Sequence, residues 1–241
     1  MSLKINFKLV IGGKEETQNL LELRVFNSIR FHTQHCELVV SNIKVNIDDP
    51  VELYLGYEKL YPIFKGYITD ISNKKTVFIK VKDEYIKLIY EKTTKSFNRT
   101  TPKEIINSLV KYPKNLTEKS FIQKHHFPIW NESIDIALRR IQKTWKLDNF
   151  VWFFDIDGNF HFHEIKKLKD YPLDLTADLI KISNPRKDYL QVILTRPIFD
   201  IYLLDGIKVY EKEYLVETII HTFQGNIFTT SLHLLDLSNL S

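Results

Sequence analysis

Three groups of side chains in this chain have types and spacings that could do chemistry. His161 and His163 stand two apart in Phe160-His161-Phe162-His163. On an extended strand such residues point to one face, so both imidazoles are placed to ligate one zinc or iron ion. Glu164 would point to the opposite face, and no third ligand stands nearby in sequence, so an ordinary solvent-side sheet face is the expectation. His125 and His126 are adjacent and would diverge on an extended chain. His32, His35 and Cys36 combine a thiol with nearby bases. Cys36, however, sits beside Glu37, which disfavours a thiolate, and neither a helix start nor a cationic cluster is there to lower its pKa. Asp155-Ile156-Asp157-Gly158-Asn159 begins like a calcium loop. That loop needs glycine at its sixth position and a bidentate glutamate at its twelfth, where this chain has Phe160 and Lys166. A hairpin turn is the better reading. The sequence contains no G-x-S-x-G elbow, no phosphate-cradling P-loop and no G-x-G-x-x-G. No catalytic, cofactor-binding or metal-ligating residue is therefore assigned, no cofactor is expected, and the chain does not read as an enzyme.

The elements that would position these residues belong to a globular chain. Its 241 residues are 44% hydrophobic and 27% charged, which supplies ample core and excludes disorder. The length fits one large domain or two to three small ones. Lys and Arg number 34 against 30 Asp and Glu, a net charge of +4, too little to demand a nucleic-acid partner. Seven of the 34 are arginine, the type that bidentate phosphate and base recognition favours. Cys36 is the only cysteine, so an intrachain disulfide and a Cys-rich zinc site are excluded and a reducing cytosol fits. Charges interrupt every apolar run from Met1 to Lys8, and no stretch approaches the roughly 18 apolar residues of a spanning helix, so neither a signal peptide nor a membrane anchor is expected.

Residues 1–92 read mostly as strands. Ile5, Phe7 and Leu9 alternate with polar residues before Gly12-Gly13, and Ile43, Val45 and Ile47 do so before Asp48-Asp49-Pro50. Further strands are predicted at 51–55, 63–71 and 76–81, with a turn at Ser72-Asn73-Lys74-Lys75. Thr101-Pro102-Lys103-Glu104 matches a capping box with proline at the first helical position, and Ile105, Ile106, Leu109 and Val110 form the apolar stripe of a helix that Pro113 closes. A second helix is predicted over 133–146, with Ile134, Ala137, Leu138, Ile141 and Trp145 on one face. The residues 150–163 read as an aromatic hairpin turning at Asp157-Gly158. Strands return at 179–182, 189–194, 198–203, 207–209, 215–223 and 227–235, with turns at Asn184-Pro185, Asp205-Gly206 and Gln224-Gly225-Asn226. The expected class is α+β, mainly β: two small β-barrel, tube-like domains (1–93 and 171–241) flanking an α/β domain of two helices and a hairpin (94–170).

This order of elements resembles the baseplate hub proteins of contractile-tailed phages and related injection systems, the late control protein D group and the amino-terminal hub part of VgrG. Val51-Glu52-Leu53-Tyr54-Leu55-Gly56 followed by Phe64-Lys65-Gly66-Tyr67-Ile68-Thr69-Asp70-Ile71 is similar to that family's strand pair, with its "phenylalanine, any residue, glycine, any residue, isoleucine or valine" stretch. The helix start at Thr101-Pro102-Lys103-Glu104-Ile105-Ile106 resembles the next landmark. Ser133-Ile134-Asp135-Ile136-Ala137-Leu138 and Asp157-Gly158-Asn159-Phe160-His161-Phe162 resemble the helix and hairpin of its middle domain. Gly206-Ile207-Lys208-Val209 and Tyr214-Leu215-Val216-Glu217-Thr218-Ile219-Ile220-His221-Thr222-Phe223 resemble the closing barrel's strands. Asp205-Gly206 departs from the family's frequent Pro-Gly.

The resemblance implies a structural protein of a phage or prophage-derived tail, made in the host cytoplasm and located in the virion tail baseplate. It implies a homotrimer that meets a hexameric tail tube protein on one side and a trimeric spike protein on the other, around a channel for DNA or a tape-measure protein. The chain ends near the second barrel, so the spike is expected to be a separate protein. A channel that lets DNA pass is expected to have an inner wall that is not strongly basic, because affinity scales with the phosphates neutralised, and no specific nucleic-acid binding is expected. Two other readings of the residues stand beside it: a small-barrel nucleic-acid-binding module, from the Tyr, Phe and Lys interleaving over 77–90, and a metal-dependent hydrolase using His161 and His163.

Overall fold

The computed structural model describes residues 5–73, 76–186, 189–194 and 196–237. The protein is mainly β, with 56% of residues in strands and 15% in helices. It divides into two compact units, one made of Met1–Asp83 with Lys166–Ser241 and the other of Glu84–Ile165.

The first unit draws its strands from both ends of the chain. The amino-terminal part supplies β1 (Asn6–Ile11), β2 (Lys14–Glu15), β3 (Leu20–Ser28), β4 (His35–Val40), β5 (Pro50–Gly56), β6 (Leu60–Asn73) and β7 (Val77–Lys82). In the second unit follow α1 (Tyr85–Tyr90), β8 (Lys92–Thr100), α2 (Pro102–Leu109), β9 (Lys114–Leu116), β10 (Lys124–Ser133), α3 (Ile134–Trp145), β11 (Phe150–Phe154) and β12 (Phe160–Glu164). The chain then returns to the first unit with β13 (Lys169–Asp174), β14 (Leu179–Arg186), β15 (Tyr189–Leu194), β16 (Asp205–Val209), β17 (Lys212–Gln224) and β18 (Ile227–Asp236).

The strands of the first unit form one sheet in the order β14-β15-β18-β17-β3-β4-β7-β6-β5-β1-β2, with β16 also on β17 and β13 on β16. Period-two sequences build it. In β4 Cys36, Leu38 and Val40 are buried and alternate with half-exposed neighbours, and Leu9, Leu53, Val81 and Ile68 fill the same core. Gly12 and Gly13 turn β1 into β2 at φ +57° and +80°, a left-handed pair that glycine adopts without strain.

Two predicted strands are not strands. Residues 43–47 join no strand ladder among the described residues, because their end is diverted into loop bonds. Asn46 N–H donates to the Asp49 carboxylate (2.8 Å), Asp48 N–H donates to Ile68 O, and Asn42 and Asp48 lie at positive φ. Residues 198–203 are also a loop. Their apolar side chains are buried without a ladder, and Phe199 enters the core of the sheet. At Asn184-Pro185 the backbone does not turn but stays in β14, which slips register against β15 between Ser183 and Arg186. Of the turn predicted at 72–75, Lys74 and Lys75 lie outside the described residues, as do Met1 to Lys4.

In the second unit both predicted helices form for the predicted reasons. Thr101 and Glu104 cap α2 reciprocally, the Glu104 carboxylate accepting from Thr101 N–H at 2.7 Å, with Pro102 in the first turn. The Ser133 hydroxyl caps α3, and Lys146 ends it at φ +53°. Ile134, Ala137, Leu138 and Ile141 of α3 pack with Ile105, Ile106 and Leu109 of α2 against the aromatic hairpin β11–β12. The element that the sequence hid is α1, whose Tyr85, Ile86 and Leu88 are buried. The stretch 77–90 is therefore not a single interleaved strand face. A β8–β10 ribbon completes the unit.

Candidate functional site

The junction of β3 and β17 is where the two ends of the chain become one sheet, and it carries the most unusual buried chemistry of the first unit. Leu23 to Ser28 pair with Phe223 to Thr218 in antiparallel register. At the end of this seam the Thr218 hydroxyl donates to the Ser28 hydroxyl (2.7 Å), Ile29 N–H donates to Glu217 O (3.0 Å), and the Arg30 guanidinium pairs with the Glu217 carboxylate. That carboxylate is only 2% exposed. A charge so placed is costly unless paired, so Arg30 fixes the register of the seam as well as its charge balance. At the start of β17 Lys212 likewise pairs with Asp236 of the neighbouring β18.

The seam also holds a buried imidazole. His221 Nδ1 meets Thr230 Oγ1 at 3.0 Å, and Phe199 lies beside the ring. Burial pushes its pKa down to about 4, so His221 is neutral in the folded sheet. Between pH 6.5 and about 4 the unfolded chain takes up a proton that the folded chain refuses, and stability falls as the pH falls. At about 1.4 kcal/mol per pH unit the loss totals about 3 kcal/mol. His35 and His233 are lowered mainly by burial and act in the same sense, while Asp205, raised mainly by burial, acts in the opposite one. We expect urea midpoints of the intact chain to drop steadily from pH 7 to pH 4, and His221→Gln to flatten that slope. An unchanged slope in the variant would contradict the assignment.

The sequence-predicted candidates lie elsewhere. His161 and His163 share one face of β12, as the alternation requires, but both are buried and do not form a solvent-side face. His161 stacks on Phe153 (4.9 Å) and its Nε2 meets Asp155 Oδ2 at 2.8 Å. Asp155 is the anchor of the hairpin turn: Oδ1 accepts from Asp157 N–H (3.0 Å) and Asn159 N–H (2.8 Å), and Gly158 lies at φ +81°. Partial burial alone would raise the Asp155 pKa, but hydrogen bonds from His161 and Asn159 outweigh it and hold it at about 2. The Asp-Gly segment is thus a turn, and among the described residues no cluster of three or more His, Cys, Asp or Glu is placed to hold a metal ion. His125 and His126 are exposed on β10, and His126 pairs with Asn98 of β8 at 2.9 Å. Cys36 is fully buried in the sheet core, where burial and the neighbouring Glu37 push its thiol far up, away from thiolate chemistry. The seam residues escaped the sequence reading, although a lone glutamate inside the apolar run 215–220 is the signal that marks them.

The ordered path of the sheet ends in β14 on one side and in β1 with the two-residue β2 on the other. Comparison with known proteins bears on this arrangement. No family model and no curated protein matches the sequence. Among solved structures, a 43 kDa tail protein of prophage MuSo2 from Shewanella oneidensis superposes with a TM-score of 0.79 at 12% identity, over 99% of both chains. A tail protein from Neisseria meningitidis MC58 gives 0.72 at 10% identity, over 97% of both. The chain has the fold of these tail proteins. An E. coli component of the type VI secretion system, itself described as similar to bacteriophage T4 tail proteins, gives 0.64 at 10% identity over 98% of this chain and 78% of that one. A VgrG complex from Francisella gives 0.61 over 98% of this chain. The likeness to tail proteins expected from the order of landmarks is thus present in the fold, carried at an identity too low for any one residue to announce it.

Proposed function

We propose that this protein is a structural baseplate hub of a phage or prophage-derived tail, acting as a homotrimeric ring that adapts a hexameric tail tube to a trimeric spike. The observation that carries the reading is the single sheet built from both ends of the chain, with β14 and β1–β2 at its two ends. In this reading the strands from the amino-terminal segment (1–93) and from the carboxy-terminal segment (171–241) are two tube-like domains flanking the middle one (94–170). Three chains then present six similar β-surfaces to a six-fold tube. Unpaired sheet edges are an aggregation hazard unless covered, and pairing β14 of one protomer with β1 of the next covers both in a closed ring. The ring surrounds the passage for DNA or a tape-measure protein, its inner wall is not strongly basic, and the protein works in the virion tail without catalysis. The tail origin of the superposable structures supports it.

The other two readings have weaker support. The interleaved strand that motivated nucleic-acid binding breaks into β7 and α1. The histidine pair that motivated a metal hydrolase is buried, with His161 committed to Asp155.

Light scattering across protein concentration tests the proposal. We expect a species of three times the 28.6 kDa chain mass, and Pro substitutions in the outer strand β1 that leave the monomer folded should abolish it. A monomer at every concentration, with or without a co-expressed spike protein, would count against the hub.

A further inference from the structure

A bulge in β17 sets one buried carboxylate between two basic groups. Ser28, Thr218, His233 and Gln191 stand opposite one another on β3, β17, β18 and β15, a cross-strand row on one face of the sheet. Register against β18 slips between Val216 and Thr218, so Glu217 is the extra residue beside that row, and a bulge re-aims the side chain it inserts. Glu217 pairs with Arg30, whose own N–H donates to the Ser28 hydroxyl of the row at 3.2 Å. His233 stands across from the bulge, in the field of both the Glu217 carboxylate and the Arg30 guanidinium.

Arg30 lies in the connection between β3 and β4, residues 29–34. Ile29 N–H donates to Glu217 O (3.0 Å), Asp83 N–H donates to Gln34 O (3.1 Å), and the exposed Phe31 meets Phe26 edge-on at 5.7 Å. The two halves of the ion pair are unequal. The Arg30 side chain is 47% exposed and can move into water, whereas the Glu217 side chain is 2% exposed and cannot. A carboxylate left charged in the sheet needs a cation, and a protonated His233 is one.

We propose that the Arg30–Glu217 pair is an acid-released latch on the 29–34 connection, in which protonated His233 takes over the carboxylate and sets Arg30 free. Burial lowers the His233 pKa, Glu217 raises it in part and Arg30 lowers it again, leaving it below the ordinary value. Moving Arg30 away removes a repelling charge and raises that pKa, so each proton gained by His233 favours the open latch. The closed latch is therefore fully favoured above pH 6.5 and weakens as the pH falls through the His233 titration. The other titrating groups near the connection are His32 within it and His35 of β4, which stacks on Phe26 and stands among Glu37, Arg24, Lys82 and Lys80. Ser28, Thr218 and Gln191 complete the row without charge. The inference stands apart from the hub reading, since it needs only the seam within one chain and not a ring.

Amide exchange of the intact chain, resolved by NMR and expressed against unstructured rates at each pH, tests the latch. From pH 7 to pH 4.5 we expect protection of the Ile29 and Arg30 amides to fall about tenfold. The fall should share its midpoint with the His233 ring titration, while the β3–β4 ladder stays protected. His233→Gln should keep both amides as protected at pH 4.5 as at pH 7. Four results would each overturn the proposal: protection that persists through the His233 titration, loss that follows the His32 or His35 ring instead, a ladder that opens together with the two amides, or a His233→Gln chain that loosens as the wild type does.

Discussion

Trp152→Ala is expected to unfold the second unit. Trp152 is fully buried in β11, packed near Phe162, and its indole N–H donates to the Tyr85 hydroxyl at 2.7 Å. That hydroxyl in turn donates to Asp135 Oδ1 at 2.6 Å, and Asp135 also receives Arg139 at 3.0 Å. The chain of bonds therefore ties α1, α3 and the hairpin to one another around the core. Burial, followed by the hydrogen bond to Asp135, pushes the Tyr85 phenol far above its ordinary range, so it remains a neutral donor at any working pH. Removing the indole leaves a cavity, at about 3–5 kcal/mol for a buried tryptophan, and it takes from the Tyr85 oxygen the hydrogen bond it accepts while the bond to Asp135 remains, at about 1 kcal/mol more. Domains are commonly stable by about 5–15 kcal/mol, so the sum approaches the whole stability of a unit this small. Tyr85→Phe keeps the ring and breaks the chain of bonds, and should cost only about 1–3 kcal/mol. Near-UV circular dichroism and amide exchange resolved over residues 84–165 check both. A Trp152→Ala protein that melts within a degree or two of the wild type would refute the assignment of this chain as the lock of the second unit.

The legible parts of this fold are those in which local signals agree. Thr101-Pro102-Lys103-Glu104 carried a cap, a proline and a stripe together, and α2 starts where they say. The alternation in 51–55 and the apolar face of 134–145 were similarly unambiguous, and the structure keeps both. What failed did so for physical reasons. Ile43-Lys44-Val45 alternates as a strand does, but the ladder is lost to loop bonds that Asp48 and Asp49 make with Asn46 and with Ile68 of β6. Tyr85 to Tyr90 has too few residues for helical period to emerge from the strand-like β7 before it, and its helix is held by packing rather than propensity. In β3 the alternation is broken, its burial running irregularly and ending in the buried Ser28, which hides that strand. The candidate site suffered most. Glu217 lies 187 residues from Arg30 and Thr218 lies 190 from Ser28 along the chain, and nothing local announces that β17 will lie against β3. The histidine pair shows the converse: spacing placed both rings on one face correctly, but could not say that the face is inside.

Gly66→Ala is expected to damage the first unit far more than one added methyl suggests, and the reason lies in the backbone. A Cβ on Gly66 would sit 2.2 Å from the Lys82 carbonyl oxygen and 2.7 Å from its carbonyl carbon, with Phe64 Cε1 at 3.0 Å on the other side. Neither main-chain atom can step aside, because Lys82 is paired with Tyr67 at the end of the β6–β7 ladder and also with His35 of β4. To make room, β6 must separate from β7 beside Ile68 and Val81, both fully buried. Overpacking a core costs about 1–3 kcal/mol when side chains can yield, and here backbone must yield, so the loss should reach about 3 kcal/mol or more. Gly206 makes the control. Its added Cβ would meet Lys167 Cδ at 2.2 Å and Cγ at 2.9 Å, contacts with a side chain that can yield by giving up its surface ion pairs with Asp170 and Glu213, so Gly206→Ala should cost less than Gly66→Ala, about 1 kcal/mol. Both glycines belong to the stretches that carry the resemblance to tail hub proteins, yet only one is demanded by close backbone approach. Urea unfolding at constant m-value separates them: a large drop in midpoint for Gly66→Ala beside a small one for Gly206→Ala is expected, and equal drops would mean that the β6–β7 crossing is looser than its geometry requires. The glycine of the "phenylalanine, any residue, glycine" stretch is then there because a third strand passes too close for any side chain, which ties that sequence signature to the construction of the sheet and not to chemistry at its surface.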